Sequence, residues 1–140
     1  MKQIPERLLN LFRRYDTPTI LNSLELLDSK FRTSCFTTEQ MICADITIPP
    51  IVGYARTATL SSSSEVDPNI KRDRSLSYYE YLSPGTTPCI SVIQDVDERP
   101  GFGAFWGEVY SNIHNALGVI GVVTNGSVRD LDALSGGFQV

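Results

Sequence analysis

One stretch near the end of the chain, residues 101–132, constrains the fold most: GFGAFWGEVYSNIHNALGVIGVVTNGSVRDLD. After a glycine-rich loop, apolar residues recur at helical spacing: Val109, Ile113, Ala116 and Leu117. Gly118 then marks the helix end, where a left-handed residue is often required. Val119–Val123 is a branched apolar run typical of a strand covered on both faces. The stretch therefore predicts loop, helix and buried strand, with the helix starting at Gly107 or Glu108.

The remaining segments predict two more strands and further helices. Strands are expected over Ile51–Leu60, where Gly53 suggests a bulge or a close backbone approach, and over Pro88–Val96. Helices are expected over Pro5–Tyr15 and after Asp16, with Asp16 as the cap and Pro18 in the first turn. The other segments indicate a strand-like piece at 46–48, a long irregular segment at 65–74 that is either disordered or a lid, and a helix that ends over 76–82.

These elements predict an α/β fold, with N-terminal helices on a layered mixed sheet and flanking helices. The helix at about 107–117 would cross between two strands of that sheet. We interpret residues 1–140 as a single α/β domain, because the chain is long enough for one core and shows no linker.

Composition excludes several functional classes. The net charge of −4 argues against nucleic acid as a direct partner, since phosphate binding needs a basic face. No apolar run is long enough to cross a bilayer, and the N-terminus lacks the apolar segment of a secretory signal. The odd number of cysteines, Cys35, Cys43 and Cys89, lacks metal-like spacing and favours reduced thiols. We therefore expect a cytoplasmic protein without a membrane partner.

The glycine-rich stretch also suggests an anion site beside a metal. A helix N-terminus presents free N–H groups and a partial positive charge, which can bind a carboxylate or a phosphate. Arg129 could bind the same anion through two parallel hydrogen bonds. Asp130, and Glu108 with it, could hold Mg²⁺ through carboxylate oxygens. The alternative from the residues alone is that Glu108 favours the helix dipole and Arg129–Asp130 is an ordinary surface ion pair.

Five other residues are weighed for a place in or beside the site. Asp95 and Asp97 follow a strand and could give outer-shell contacts to a metal, although carboxylates in a turn are commoner. Arg56 could reach a substrate or form an ion pair at the sheet surface. His114 is expected opposite the apolar stripe, without a catalytic role. Trp106 is expected to pack beside the site.

Several short segments of the sequence resemble those of a known family. Glu108, twenty residues and then Arg129–Asp130 match a family pattern, as do Gly53–Thr57, Val92–Val96 and Thr124–Gly126. On these residues the chain, from about Asp16 to its end, resembles the family of the regulator of ribonuclease activity A. The same family contains the class II, metal-dependent 4-hydroxy-4-methyl-2-oxoglutarate aldolases.

The resemblance implies a role for each site residue. The backbone amides of Gly107, Glu108, Val109 and Tyr110 would bind the carboxylate and keto group of a small 2-oxo acid. Arg129 would bind substrate, Asp130 would ligate Mg²⁺ or Mn²⁺, and the catalytic set would be Arg129, Asp130 and Glu108. The implied fold is the swivelling β/β/α type, assembled as a homotrimer or higher oligomer.

The implied activity is cleavage of a C–C bond in a 2-oxo acid to leave a pyruvate enolate, either by oxaloacetate decarboxylation or by retro-aldol cleavage of 4-hydroxy-4-methyl-2-oxoglutarate. Aldolase members tend to carry an acid three residues after the Asp, where this chain has Ala133, which favours decarboxylation. Members also continue past the position of Val140, so we interpret the chain as shortened at its C-terminus, as a fragment or a natural short form.

Two alternatives to catalysis stay open. Relatives bind a ribonuclease and damp its activity, and an acidic surface could compete for a basic RNA-binding region. A shortened, non-catalytic subunit is the other alternative. A nucleotide-dependent methyltransferase, a label that relatives once carried, has no support, because the glycine-rich run lacks the strand–GxGxxG–helix order of dinucleotide sites.

Overall fold

The computed structural model describes residues 3–83, 85 and 88–140. The chain divides into two compact units, residues 1–52 and residues 53–140, and each is described by itself. The interpretation of residues 1–140 as one domain stays a prediction.

The first unit contains two short helices and a single 3₁₀ turn among its described residues. Helix α1 spans Glu6–Phe12, helix α2 spans Thr17–Leu27, and the 3₁₀ turn spans Ser29–Arg32. The Asp16 carboxylate accepts the Thr19 N–H at 2.9 Å, which confirms the predicted cap of α2. Helix α1 ends three residues before the predicted Tyr15, because the N–H groups of Arg14 and Tyr15 bond carbonyls three residues back and tighten the final turn.

The strand predicted at 46–48 is wrong. The Asp45 carboxylate accepts hydrogen bonds from both the Thr47 N–H at 2.8 Å and the Thr47 hydroxyl at 2.6 Å. Such a side-chain bond to the backbone two residues on closes a turn and competes with strand pairing. These residues therefore turn, although their branched side chains are typical of a strand.

The second unit is an α/β arrangement around a three-stranded sheet. In chain order its elements are β1 (Tyr54–Leu60), α3 (Pro68–Leu82), β2 (Cys89–Asp95), α4 (Glu108–Ala116), β3 (Val119–Thr124) and a 3₁₀ turn at Leu131–Ala133. The strands lie in the order β1-β2-β3, and both neighbouring pairs are parallel. The predicted α/β class, the three strands and the crossing helix α4 are confirmed.

The prediction of a mixed sheet is wrong for these three strands. Each is joined to the next through a helix, and a long helical connection returns the chain to start a parallel strand, whereas antiparallel neighbours can be joined by a tight turn. The close approach expected at Gly53 is confirmed, because a Cβ there would lie 2.7 Å from the Pro88 carbonyl oxygen.

The irregular loop or lid predicted at 65–74 is wrong, since most of it is the first half of α3. Asp67 caps this helix by accepting the Asn69 N–H at 2.8 Å, and Pro68 occupies its first turn. Residues 68–74 are exposed, so this half of the helix needs no apolar stripe, and its periodicity is invisible in the sequence.

The core of the second unit lies on one face of the sheet. It is formed by buried residues from the strands, helix α3, the loop before α4 and the C-terminal segment: Leu82, Cys89, Ile93, Trp106, Val119, Val122 and Phe138. The strand ends Leu60 and Asp95 are register partners, so the carboxyl ends of β1 and β2 meet at one edge. Within the part of the chain that the structure describes, no helix has the length and apolar character to span a membrane.

Candidate functional site at the carboxyl edge of the sheet

The glycine-rich loop, residues 101–107, is fastened at its start to both neighbouring strand ends. The Gly101 N–H donates to Asp95 Oδ2 at 2.8 Å, at the end of β2. The Ser127 hydroxyl donates to the Gly101 carbonyl oxygen at 2.7 Å, just beyond β3. Gly101 has a φ of +81°, a left-handed conformation that favours glycine at this junction.

The end of the same loop is fastened to the segment that carries the Arg-Asp pair. Trp106 and Val128 form a parallel β-bridge, and the Arg129 N–H donates to the Trp106 carbonyl oxygen at 2.9 Å. The Trp106 side chain is 1% exposed, which confirms its expected packing role. These backbone contacts therefore fix the position of the Arg129 backbone beside the end of the glycine-rich loop.

Gly107 brings the start of α4 against Arg129 and Asp130. A Cβ at position 107 would lie 2.6 Å from Asp130 Oδ2 and 3.0 Å from Arg129 Cγ. The backbone of Gly107 is extended, with a φ of 178°, so glycine is needed here for space and not for its dihedral angle. The structure therefore places three of the predicted site residues in direct contact.

The first turn of α4 supplies the other predicted residues. The first intrahelical bond is from the Ser111 N–H to the Gly107 carbonyl oxygen, and no side chain caps the helix. The N–H groups of Glu108, Val109 and Tyr110 therefore precede the first intrahelical hydrogen bond and lie beside Gly107, without an acceptor within the helix. Glu108 and Val109 are exposed, whereas Tyr110 is half-buried and stacks on Phe105 with ring centroids 3.9 Å apart.

Arg129 and Asp130 pair with one another while staying open to solvent. Arg129 Nε lies 3.6 Å from Asp130 Oδ2, and the two side chains are 64% and 46% exposed. An exposed pair of this kind contributes little to stability, so a ligand can compete for both partners at low cost. Asp130 has a φ of 55° and a ψ of 42°, a left-handed conformation that is uncommon for a residue with a side chain.

The donor set fits a cation that is held mainly by water and substrate. In residues 3–83, 85 and 88–140, no three His, Cys, Asp or Glu side chains are grouped as a metal cage. Mg²⁺ is commonly held by only one or two carboxylates, with its other positions filled by water or substrate oxygens. The exposed Asp130 carboxylate satisfies that smaller requirement.

Asp95 and Asp97 lie at the same edge, and their carboxylates bind backbone and hydroxyl groups. Asp97 accepts five hydrogen bonds of 2.5–3.0 Å from Ser61, Ser62 and Ser63. These serine hydroxyls, together with the Ser62 N–H, hold the pKa of the Asp97 carboxyl well below its usual value. Both residues are buried, and the Asp97 N–H donates to Asp95 Oδ1 in the turn that leaves β2, which agrees with the turn interpretation. An outer-shell contact to a metal stays a prediction.

His114 lies on the buried face of α4, which corrects the predicted orientation of this helix. His114 and Ser111 are fully buried, whereas Val109 of the predicted stripe is 63% exposed. His114 Nδ1 lies 2.7 Å from the Tyr110 carbonyl oxygen, and Nε2 lies 3.0 Å from the Tyr78 hydroxyl. Burial lowers the pKa of His114, so the neutral ring donates through Nδ1 and accepts through Nε2.

Arg56 lies near the start of β1, away from the carboxyl edge. Its guanidinium carbon lies 5.4 Å from the centroid of the Tyr81 ring, in a cation–π arrangement. The structure therefore does not bring Arg56 to the candidate site.

The sequence analysis missed the residues that hold this edge together. Asn125 accepts the Asp95 N–H at 2.7 Å and donates to the Asp95 carbonyl oxygen at 3.0 Å, as a neighbouring strand would. Ser61–Ser63 and Ser127 were assigned no role in a site. Their position in the sequence could have identified them, because all of them come soon after predicted strands. In α/β sheets, ligands and the residues around them collect at the carboxyl ends of the strands.

Comparison with known proteins gives one family. A family model described as RraA-like, Aldolase/RraA, matches residues 17–140, which include the whole candidate site. Searches of curated proteins and of solved structures find no significant match to the chain.

Proposed function

Because the chain belongs to the Aldolase/RraA family, we propose that it is a metal-dependent C–C lyase that acts on small 2-oxo acids. The observation that carries the proposal is the contact of Gly107 with both Arg129 and Asp130. That contact places a helix N-terminus, a guanidinium and a carboxylate around one point. Such a set of groups suits an anionic oxo-acid beside a divalent cation.

Each group has a defined task in oxaloacetate decarboxylation. The N–H groups at the start of α4 bind the C1 carboxylate, because they are the uncapped donors of this helix. Arg129 stabilises the negative charge that develops on the 2-oxo oxygen as the C3–C4 bond breaks and CO₂ leaves. The bonding electrons pass into the enolate of pyruvate, and a proton on C3 completes the reaction.

Two carboxylates complete the site. Asp130 would hold Mg²⁺ or Mn²⁺, which supplies Lewis-acid polarisation of the substrate oxygens. Glu108 is exposed in the first turn of α4, next to Gly107, and we assign to it the delivery of the proton to C3. Retro-aldol cleavage of 4-hydroxy-4-methyl-2-oxoglutarate yields the same enolate, but it also needs a base to take the proton of the 4-hydroxyl group as that group becomes a carbonyl. Ala133 stands where aldolase members tend to carry an acid, so the groups of this site favour decarboxylation.

The test is oxaloacetate decarboxylation by the purified chain with Mg²⁺ or Mn²⁺, followed by excess chelator. We expect Arg129→Ala and Asp130→Ala each to lower kcat/KM by about 100-fold or more, because each removes a charge that acts on the transition state. Asp132→Ala is the matched control, since it removes a neighbouring exposed carboxylate outside the site.

Free metal also decarboxylates oxaloacetate, so the Asp130→Ala protein sets the background rate. Circular dichroism of each variant checks that it is folded. Turnover by the unaltered chain that does not exceed the Asp130→Ala background would contradict the proposal. In that case a binding assay against a ribonuclease, at low and at high salt, tests the regulatory alternative.

A further inference from the structure

We propose that Asp95 is a positioning residue, which sets the glycine-rich loop at the distance from Arg129 and Asp130 that the site needs. The inference rests on the proposed function for its effect on turnover. It rests on contacts among described residues for its effect on the loop.

The Asp95 side chain is a buried junction between strand and loop. It is 2% exposed, and its two oxygens are shared between two backbone donors. Oδ1 accepts the Asp97 N–H at 3.0 Å, and Oδ2 accepts the Gly101 N–H at 2.8 Å. A single carboxylate therefore fixes both the turn that leaves β2 and the first residue of the glycine-rich loop.

The loop carries this constraint to the site over a short distance. Gly101 is held by Asp95 from one side and by the Ser127 hydroxyl from the other. At its other end, the Trp106 carbonyl oxygen accepts the Arg129 N–H, and Gly107 packs against Asp130. A shift of Gly101 therefore changes the placement of Gly107 against the Arg-Asp pair, although Asp95 itself does not bind substrate.

The chemistry of the two donors makes Asp95→Asn an informative variant. Both partners of Asp95 are backbone N–H groups, which can only donate. The NH₂ group of asparagine must face one of them, so one hydrogen bond is lost and two donors oppose each other in a buried position. The volume of the side chain is unchanged.

Asp97→Asn is a matched control that removes the same charge two residues away. Asp97 Oδ1 accepts only from the hydroxyls of Ser61 and Ser63, and a hydroxyl can rotate to accept from an amide. The remaining amide oxygen can keep the donors on Oδ2, which are the Ser62 N–H, the Ser62 hydroxyl and the Ser63 N–H. Asparagine is therefore tolerated at 97 and not at 95.

The experiment compares kcat/KM for oxaloacetate with amide hydrogen exchange in the same proteins. We expect Asp95→Asn to lower kcat/KM by about 10–100-fold, as loss of a supporting contact typically does. Asp97→Asn should stay within about threefold of the unaltered chain. Exchange at the Gly101 and Arg129 amides should accelerate in Asp95→Asn, while the Tyr54 amide, bonded to Pro88 at the other end of the sheet, should not change.

Each outcome decides the proposal. Equal losses of kcat/KM in the two variants, or unchanged exchange at Gly101 and Arg129 in Asp95→Asn, would overturn it. If the unaltered chain has no metal-dependent turnover, the proposed lyase function fails, and the exchange comparison still decides whether Asp95 holds the loop.

Ser127→Ala provides a second route if Asp95→Asn does not fold. It removes the other hydrogen bond to Gly101 without burying an unpaired donor, since the hydroxyl itself is the donor. We expect a smaller loss of kcat/KM, about 3–10-fold, with faster exchange at the Arg129 amide. Unchanged values of both quantities would overturn the proposal on this route.

Discussion

Two buried polar networks in residues 53–140 stabilise polar side chains away from water in different ways. The aromatic network links Ser91, Tyr78, His114 and the Tyr110 carbonyl oxygen through hydrogen bonds. The centroid of the Trp106 ring lies 4.6 Å from the centroid of the His114 ring. The carboxylate network links Asp95 and Asp97 to the loops at the carboxyl edge. The first buries neutral groups among rings, and the second buries anions among N–H and O–H donors.

The difference shows how a buried polar group is kept stable. Burying a neutral ring costs less free energy than burying a carboxylate, so two hydrogen bonds and aromatic packing suffice for His114. A carboxylate needs several donors, and Asp97 has five. We therefore expect the contribution of the aromatic network to the free energy of unfolding to depend on side-chain volume and on pH near neutrality. The contribution of the carboxylate network should depend on neither.

The largest effect should come from removing the ring that packs on the aromatic network. Trp106→Ala should lower the free energy of unfolding by about 3–5 kcal/mol, because the ring is buried and leaves a cavity beside His114. Urea denaturation measures this change. Phe102→Ala is the control, since Phe102 is 76% exposed and its loss should cost little. Similar losses in the two variants would show that Trp106 is not part of a packed core.

A smaller effect is expected when one hydroxyl of the aromatic network is removed. Tyr78→Phe should lower the free energy of unfolding by about 1–3 kcal/mol, because the buried His114 Nε2 loses its donor. Burial raises the pKa of Tyr78 to about 12 in the folded chain. Above pH 10 the unfolded chain loses this proton first, so the unaltered chain should lose stability more steeply than the variant as the pH rises.

The measurement for Tyr78→Phe is the free energy of unfolding in urea at pH 7, 9.5 and 11. Tyr15→Phe is the control, because Tyr15 is exposed and the loss of its hydroxyl should change the free energy of unfolding at pH 7 little. A Tyr78→Phe variant as stable as the unaltered chain at pH 7 would mean that His114 does not depend on this hydrogen bond.

The smallest effect should be a dependence on pH near neutrality that belongs to the aromatic network alone. Burial lowers the pKa of His114, so below about pH 6.5 the unfolded chain takes up this proton before the folded chain does. Stability should therefore fall as the pH drops from 7.5 to 5.5, by no more than about 1.4 kcal/mol per pH unit for one proton. His114 is the only histidine, and His114→Gln should flatten the slope.

Asp97→Asn tests the contrast in the same pH series. The serine hydroxyls keep the pKa of Asp97 below its usual value, so its contribution is fully present above about pH 4 and is lost only at lower pH. The variant should keep the slope of the unaltered chain between pH 7.5 and 5.5. A slope abolished by Asp97→Asn and retained by His114→Gln would reverse the assignment of the two networks.

The order of elements near the site was predictable because it depends on local signals. Glycines, helical spacing and a branched apolar run predicted α4 and β3, and the left-handed Gly118, with a φ of 83°, confirms the predicted end of α4. The buried face of α4 was not predictable from apolar residues. Ser111 and His114 are buried because Ser135, Tyr110 and Tyr78 supply their partners, and hydropathy does not contain that information.

The candidate site shows the same division. The family resemblance identified Gly107, Arg129 and Asp130, which the fold brings into contact. The bonds of Asp97 reach 34–36 residues back along the chain, and only the pairing of β1 with β2 brings those serines close. Local patterns therefore predicted residues that the fold brings together at the candidate site, but not the residues that support them.

The left-handed backbone of Asp130 has a consequence for selection. Aspartate adopts that conformation more readily than most residues with a side chain, but less readily than glycine, and nothing about the sheet requires a carboxylate there. Selection for thermal stability alone would favour Asp130→Gly, which relieves the conformation and discards the proposed metal ligand. Persistence of aspartate at this position across natural variants would therefore record a demand for function that opposes stability.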